Sequence, residues 1–195
     1  MSARRCASVL ALAFVAIVKP GLLRAQILNR SVELSGTVAA VGGIAPVSID
    51  GASHGGLYGG LRFDGGVQGE RLELGAGFRV WEFAPTRTYG GHGLSGFISG
   101  EWRLDGAGRN AVRASAGAGF DEIDPGRGPY RANTGTSGFE WSLGFGHEAV
   151  APSGARVVLS ADLVMPNTNN GVNGRRLPVL ELGFGYRLRW YQAIR

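Results

Sequence analysis

From about residue 31 onward the chain alternates between apolar and polar or glycine positions. The clearest case is the last stretch, Leu177 to Tyr191, LPVLELGFGYRLRWY. In it Leu180, Leu182, Phe184, Tyr186, Leu188 and Trp190 are separated by Glu181, Gly183, Gly185, Arg187 and Arg189. Strict period two over this length predicts a strand whose faces meet different environments. Seven earlier segments of similar character precede it. They are Ser31–Gly42 (Val32, Leu34, Val38, Ala40), Gly55–Asp64 (Leu57, Leu61, Phe63) and Glu70–Glu82 (Leu72, Leu74, Ala76, Phe78, Val80). Leu94–Leu104 (Leu94, Ile98, Trp102, Leu104) and Ala111–Glu122 (Val112, Ala114, Ala116, Ala118, Phe120) follow. The last two are Ser137–Glu148 (Phe139, Trp141, Leu143, Phe145) and Ala155–Met165 (Val157, Leu159, Ala161, Leu163, Met165).

The connections alternate as well. GGVQG, DGAGRN and VAPSG are short and turn-like, whereas GIAPVSIDGASH, FAPTRTYGGHG, IDPGRGPYRANTGT and PNTNNGVNGRR are longer. Tilted strands of about ten residues, with short turns at one end and long loops at the other, predict an antiparallel up-and-down transmembrane barrel. The short turns then lie on the periplasmic side, with both chain ends.

The orientation of the faces decides between a membrane barrel and a soluble, lipocalin-like one. The apolar face of these segments has no acid and no arginine, and His147 is its only titratable group. The other face collects Glu33, Arg62, Glu73, Arg79, Glu101, Arg103, Arg113, Glu140, Asp162, Glu181 and Arg187. Asp64, Arg71, Asp121, Glu148, Arg156 and Arg189 lie there too, interleaved with glycines. An eight-stranded lumen is barely wide enough for side chains, so bulky residues belong outside and glycines inside. An arginine facing lipid at the midplane costs about 2–4 kcal/mol, whereas inside it can pair with a carboxylate. Aromatics near strand ends suggest two interfacial belts: Phe63, Trp102, Trp190 and Tyr191 on the turn side, Phe78, Phe120, Phe139 and Trp141 on the loop side.

Composition changes this picture little. At 195 residues one domain is expected, and 34 glycines beside abundant branched and aromatic residues exclude a disordered or collagen-like chain. The formal charge of +5 comes mainly from Arg4, Arg5, Lys19 and Arg24, in a stretch without acids; the other 16 of 20 basic residues face 15 acids. No electrostatic case for nucleic acid remains. The basic start, the apolar run Ala7–Val18 and the small Ala25 read as a cleaved secretory signal, too short for the ~20 residues of a spanning helix. The expected organisation is a signal peptide over 1–25 and a barrel domain over 26–195. The sole cysteine, Cys6, leaves with the signal.

On this pattern the whole mature chain resembles the small eight-stranded outer-membrane barrels, the OmpA/OmpX-like class of Gram-negative envelopes. That resemblance implies recognition of the last strand by the barrel-assembly machinery through a polar residue, a glycine two later, then apolar or aromatic residues. Glu181, Gly183, Tyr186 and Leu188 fit, as do Gly185, Leu188 and Trp190; the chain departs from the pattern by continuing Gln192-Ala193-Ile194-Arg195 beyond its aromatics. It implies an outer-membrane location, lipid and lipopolysaccharide as neighbours, and a monomer.

The candidate chemistry is sparse. The luminal charges are expected to form a plugging ion-pair network, since buried charges must be paired; a narrow pore for small or hydrophobic solutes is the alternative. Arg187 is expected to pair with Glu33 across the closing seam, and Arg103 with Glu73 or Glu101, with Tyr58 and Phe97 filling space. Arg87, Arg127, Arg131, Arg175 and Arg176 in the long loops suit phosphates of lipopolysaccharide. Some barrels of this size modify lipid A with His, Ser and an acid; here only His54, His92 and His147 are available, with Ser53 and Ser95 nearby in sequence. The deacylase-like His-x-Ser-Asn string is absent, so no enzyme is expected. Neither metal-ligand spacing nor a nucleotide fingerprint appears, so no cofactor is expected.

Overall fold

The computed structural model describes residues 31–44, 47–49, 52–54, 56–84, 90–124, 134–167, 175–176 and 178–193. Side chains are described over 33–44, 56–82, 91–120, 137–165 and 178–191. The expected signal peptide lies outside these residues.

Among the described residues eleven strands form: β1 Ser31–Ile44, β2 Val47–Ile49, β3 Ala52–His54, β4 Leu57–Gln68, β5 Leu72–Ala84, β6 Gly90–Arg103, β7 Asn110–Asp124, β8 Thr134–Val150, β9 Arg156–Asn167, β10 Arg175–Arg176 and β11 Val179–Ala193. Eight of them close into a barrel in the order β1-β11-β9-β8-β7-β6-β5-β4, every neighbour antiparallel. The expected fold class is therefore the observed one.

The stagger of this barrel can be traced through its register. From Glu181 on β11 the row of paired residues runs through Asp162, Gly144, Arg113, Glu101, Glu73, Gln68 and Glu33. It returns to β11 at Tyr191, ten residues further along. Such an offset requires steeply tilted strands, which is why β7, β8 and β11 run to 15, 17 and 15 residues.

The strands outrun the expected segments at the turn end. Gly65–Gln68, read as a turn, continues β4 because Val67 and Gln68 keep the alternation and pair with Leu74 and Glu73. The turn shrinks to Gly69–Arg71, closed by Gly69 N donating to Leu72 O at 2.8 Å. At the loop end, the first expected loop contains β2 and β3, which pair as a hairpin, and β10 adds to β2 as a separate three-stranded sheet. Three-residue strands carry too little alternation to be seen in sequence.

The turn from β6 to β7 is held by one side chain. Asp105 accepts hydrogen bonds from the backbone N–H groups of Arg109 at 2.8 Å and Asn110 at 2.9 Å, and from Asn110 Nδ2 at 2.6 Å. Gly108 supplies the left-handed residue at φ 66°, a conformation that costs glycine little. The Arg109 N–H, above all, holds the Asp105 carboxyl below its ordinary range. A depressed carboxyl contributes stability above its unfolded pKa and loses it as pH falls through the folded value. Unfolding midpoints of the wild type and Asp105→Asn are therefore expected to differ at pH 7, in favour of the wild type, and to converge below about pH 4. A difference independent of pH would reject this role.

Side chains sort by strand parity. Outward lie Phe78, Trp102, Phe139, Leu143, Phe145, Leu182, Phe184 and Leu188, all exposed on the barrel's outer surface. Inward the barrel is packed with charged residues plus Tyr58, Trp81, Phe97, Val41, Val164 and Val179. Luminal glycines make the room. A Cβ at Gly144 would stand 2.7 Å from Asp162 Cα, and one at Gly185 would stand 2.6 Å from Ala39 Cα. The two expected aromatic belts are not separated as expected at one point: Phe63 and Phe78 are cross-strand partners and stack at 4.8 Å. The register puts them at one level.

Candidate functional site

Among the described residues the lumen is where the fold concentrates chemistry, because strand parity directs charges from all eight barrel strands inward within a space only side chains can fill. Two tiers result.

The tier toward the long loops centres on Glu181 of β11, which is fully buried. Arg79 Nη1 donates to its Oε2 at 2.6 Å, the Tyr58 hydroxyl donates to the same oxygen, and Arg62 Nη1 approaches Oε1 at 3.5 Å. Arg79 also donates to Glu140 at 2.7 Å. Arg62 spreads over Asp162 at 2.9 Å, Asp64 at 3.3 Å and the Ser160 hydroxyl at 3.2 Å. The Arg79 guanidinium further lies 5.9 Å from the Phe97 ring centre.

The tier toward the short turns centres on Arg187, also of β11. It forms a two-pronged pair with Glu101 at 2.8 and 2.7 Å, donates to Thr37 at 3.1 Å and reaches Glu148 at 3.3 Å. Such fork-to-carboxylate geometry is the strongest that arginine offers. Arg189 joins Glu148 at 2.6 Å to Glu33 at 3.2 Å, and Arg156 closes the rim on Glu148. Arg103 donates to Gln68 and stands 3.9 Å from Glu73, which also accepts from Ser35. Arg113 stands between the tiers, 3.7 Å from Glu101, 3.8 Å from Asp64 and 3.9 Å from Asp162.

The expected pairing of Arg187 with Glu33 is not the one formed. The closing seam sets Arg187 against Thr37 and Glu33 against Tyr191, so Glu33 meets Arg189 and Arg187 crosses the lumen to β6. Arg71 does not join the lumen, because the shortened turn leaves it exposed; the side chain of Asp121 lies outside the described ones. Trp81 was not singled out from sequence, yet it is buried in the lumen against Tyr58 at 5.6 Å between ring centres. Its odd position on β5 is the signal that could have found it. Gln68, Thr37, Ser35 and Ser160 were likewise unremarked.

On β11 the residues matched to the assembly pattern divide between the faces: Glu181 and Gly183 point inward, Tyr186, Leu188 and Trp190 outward. Of the loop arginines, Arg87, Arg127 and Arg131 lie outside the described residues. Arg175 and Arg176 form β10, paired with Ser48 and Val47.

The histidines are dispersed. His92 is exposed on the outward face whereas Ser95 is buried in the lumen, so those two do not face each other. His147 Nδ1 bonds Asn110 Oδ1 at 2.8 Å at the turn end, and the side chains of Ser53 and His54 lie outside the described ones. Among the described residues no group of three or more His, Cys, Asp and Glu could hold a metal ion. The outward face also departs from the expected charge-free surface: Glu82, at the loop end of β5, is exposed on it, directly opposite His92.

No family model matches the chain, and no curated protein matches it in sequence. Among solved structures it is similar to Ail, the attachment invasion locus protein of Yersinia pestis, with a TM-score of 0.56, 14% identity, 80% of this chain covered and 99% of that one. The complex of Ail with the heparin analogue sucrose octasulfate gives 0.55, 13%, 80% and 99%. Neisserial surface protein A gives 0.51, 16%, 80% and 97%. At such identities the likeness is one of fold, that of the small eight-stranded outer-membrane barrels.

Proposed function

We propose that this chain is a barrel of a Gram-negative outer membrane, exported through a cleaved signal peptide, with its lumen plugged by ion pairs and a structural or surface-interaction role rather than a catalytic one. One observation carries the reading: bulky apolar side chains cover the outside, while every described luminal arginine lies 3.9 Å or less from a carboxylate. An exposed apolar surface of this extent is tolerable only against lipid. Charges locked to one another across a narrow lumen leave no aqueous file.

On this reading the working surface is the long-loop end. Arg87, Arg127, Arg131, Arg175 and Arg176 would meet phosphates of neighbouring lipopolysaccharide, and anionic sugars of a partner surface are a compatible second target. Ail itself has been crystallised with a sulfated sugar. Glu181, Gly183, Tyr186, Leu188 and Trp190 would present β11 to the assembly machinery before closure buries Glu181. The barrel acts as a monomer and without a cofactor.

The test combines three measurements on the full chain expressed in a Gram-negative host. The protein should fractionate with the outer membrane, migrate differently on gels before and after boiling, and leave planar bilayers electrically silent. Solubility without detergent would overturn the membrane reading, and steady single-channel conductance would overturn the plug.

A further inference from the structure

Not every ionisable group of the barrel strands belongs to the lumen. At the long-loop end the register sets Glu82 of β5, His92 of β6 and Glu122 of β7 in one row, each the direct cross-strand partner of the next. The neighbouring row on the same face is Val80, Leu94 and Phe120, all exposed on the outer surface. The row of three therefore stands where the outer apolar band ends. Glu82 and His92 are exposed there; Glu122 is placed by its register position and by the parity of β7. Glycine bounds the row at both ends, Gly59 opposite Glu82 and Gly135 opposite Glu122.

Directly opposed residues of an antiparallel sheet have Cβ atoms about 4.5–5.5 Å apart, so two glutamates flank one imidazole within reach of a shared ion. The charge on this face is unbalanced. Among the described side chains of the barrel strands no arginine is directed outward, whereas the row carries two carboxylates. Like charges at one level repel each other, and beside the phosphates expected at this end they would repel those as well. A bound cation removes both costs. The imidazole decides which cation. Magnesium and calcium are held by oxygen ligands, whereas zinc takes a histidine nitrogen together with glutamate oxygens. Three protein ligands are also the number that leaves zinc one open position. No local spacing announces this set, because its members come from three strands.

We propose that Glu82, His92 and Glu122 form a surface site for one divalent cation of the zinc type. His92 supplies a ring nitrogen, and Glu82 and Glu122 each supply a carboxylate oxygen. The open position is left to a ligand from outside the barrel, and a phosphate oxygen of neighbouring lipopolysaccharide has the right chemistry for it. The site itself rests on the register of β5 to β7 and not on the membrane reading.

The experiment titrates zinc chloride into the full barrel, free of any purification tag, in detergent micelles without lipopolysaccharide, and reads binding by calorimetry. The wild type should take up one zinc ion per chain and keep it in a large excess of magnesium. His92→Gln, Glu82→Gln and Glu122→Gln should each weaken binding by at least about tenfold, the lower end of what losing even an outer partner of a metal ligand costs. His147→Gln, at the turn end, should bind like the wild type. Glu82 and His92 are exposed, so their replacement leaves the packed lumen untouched, and the boiling-dependent gel shift confirms that each variant is folded. Absence of a one-to-one zinc site in the wild type, its loss to magnesium, wild-type affinity in any of the three row variants, or an equal loss in His147→Gln would overturn the proposal. Each of these leaves the membrane reading intact, since fractionation tests that separately.

Discussion

Replacing Glu181 with glutamine is expected to destabilise the barrel by about 3–5 kcal/mol, the cost of removing one partner from a buried ionic cluster. Glu181 has no exposed surface, and it receives Arg79 at 2.6 Å, Arg62 at 3.5 Å and the Tyr58 hydroxyl. Without its charge, two guanidinium groups remain in the lumen with Asp162, Asp64 and Glu140 as their closest carboxylates. The measurement is denaturant unfolding in detergent micelles, followed by the boiling-dependent gel shift. Removing Arg79 as well, in Glu181→Gln with Arg79→Gln, should cost less than the sum of the two single changes, because the groups share one network. Additive effects would show that the pair is not coupled.

The second large effect lies one residue away, on the other face. Leu182→Arg is expected to cost about 2–4 kcal/mol when the barrel is unfolded from phospholipid vesicles, the penalty for an arginine on lipid near the midplane. Leu182 is 59% exposed on the outer surface, flanked along β11 by Leu180 and Phe184 on the same side. In short-chain detergent, where water reaches the belt, the cost should fall. A tolerated Leu182→Arg in vesicles would mean that this face does not meet lipid. The two substitutions together test the sidedness of β11 within a single peptide unit.

Much of the sidedness was legible because a strand has an exact two-residue period, so residue identity and position suffice. Leu182 and Glu181 need no partner to be assigned opposite faces. Even the exception was visible: Glu82 has the same parity as Val80 and Phe78, and only its place at the segment's end hid it. Where a segment was too short for alternation, as in Val47–Ile49 and Ala52–His54, nothing in the residues announced a strand.

The ion pairs were legible only in part: Arg103 does stand beside Glu73, but Arg187 meets Glu101 rather than Glu33, and the reason is geometric. Which charges share a level depends on the ten-residue stagger accumulated around the closed sheet, and no local segment encodes it. That stagger sets Glu33 opposite Tyr191 and sends Arg187 across the lumen to Glu101. The same geometry stacks Phe63 on Phe78 and brings Trp81 over Tyr58. Sequence alone thus determined the eight barrel strands, their faces and their closure, because each follows from local periodicity and from glycine being the residue that fits inside. Only the tertiary structure decided the remaining charge partners and the contacts of Trp81 with Tyr58 and Phe63 with Phe78, because both arise where strands distant in sequence are brought together by tilt and stagger.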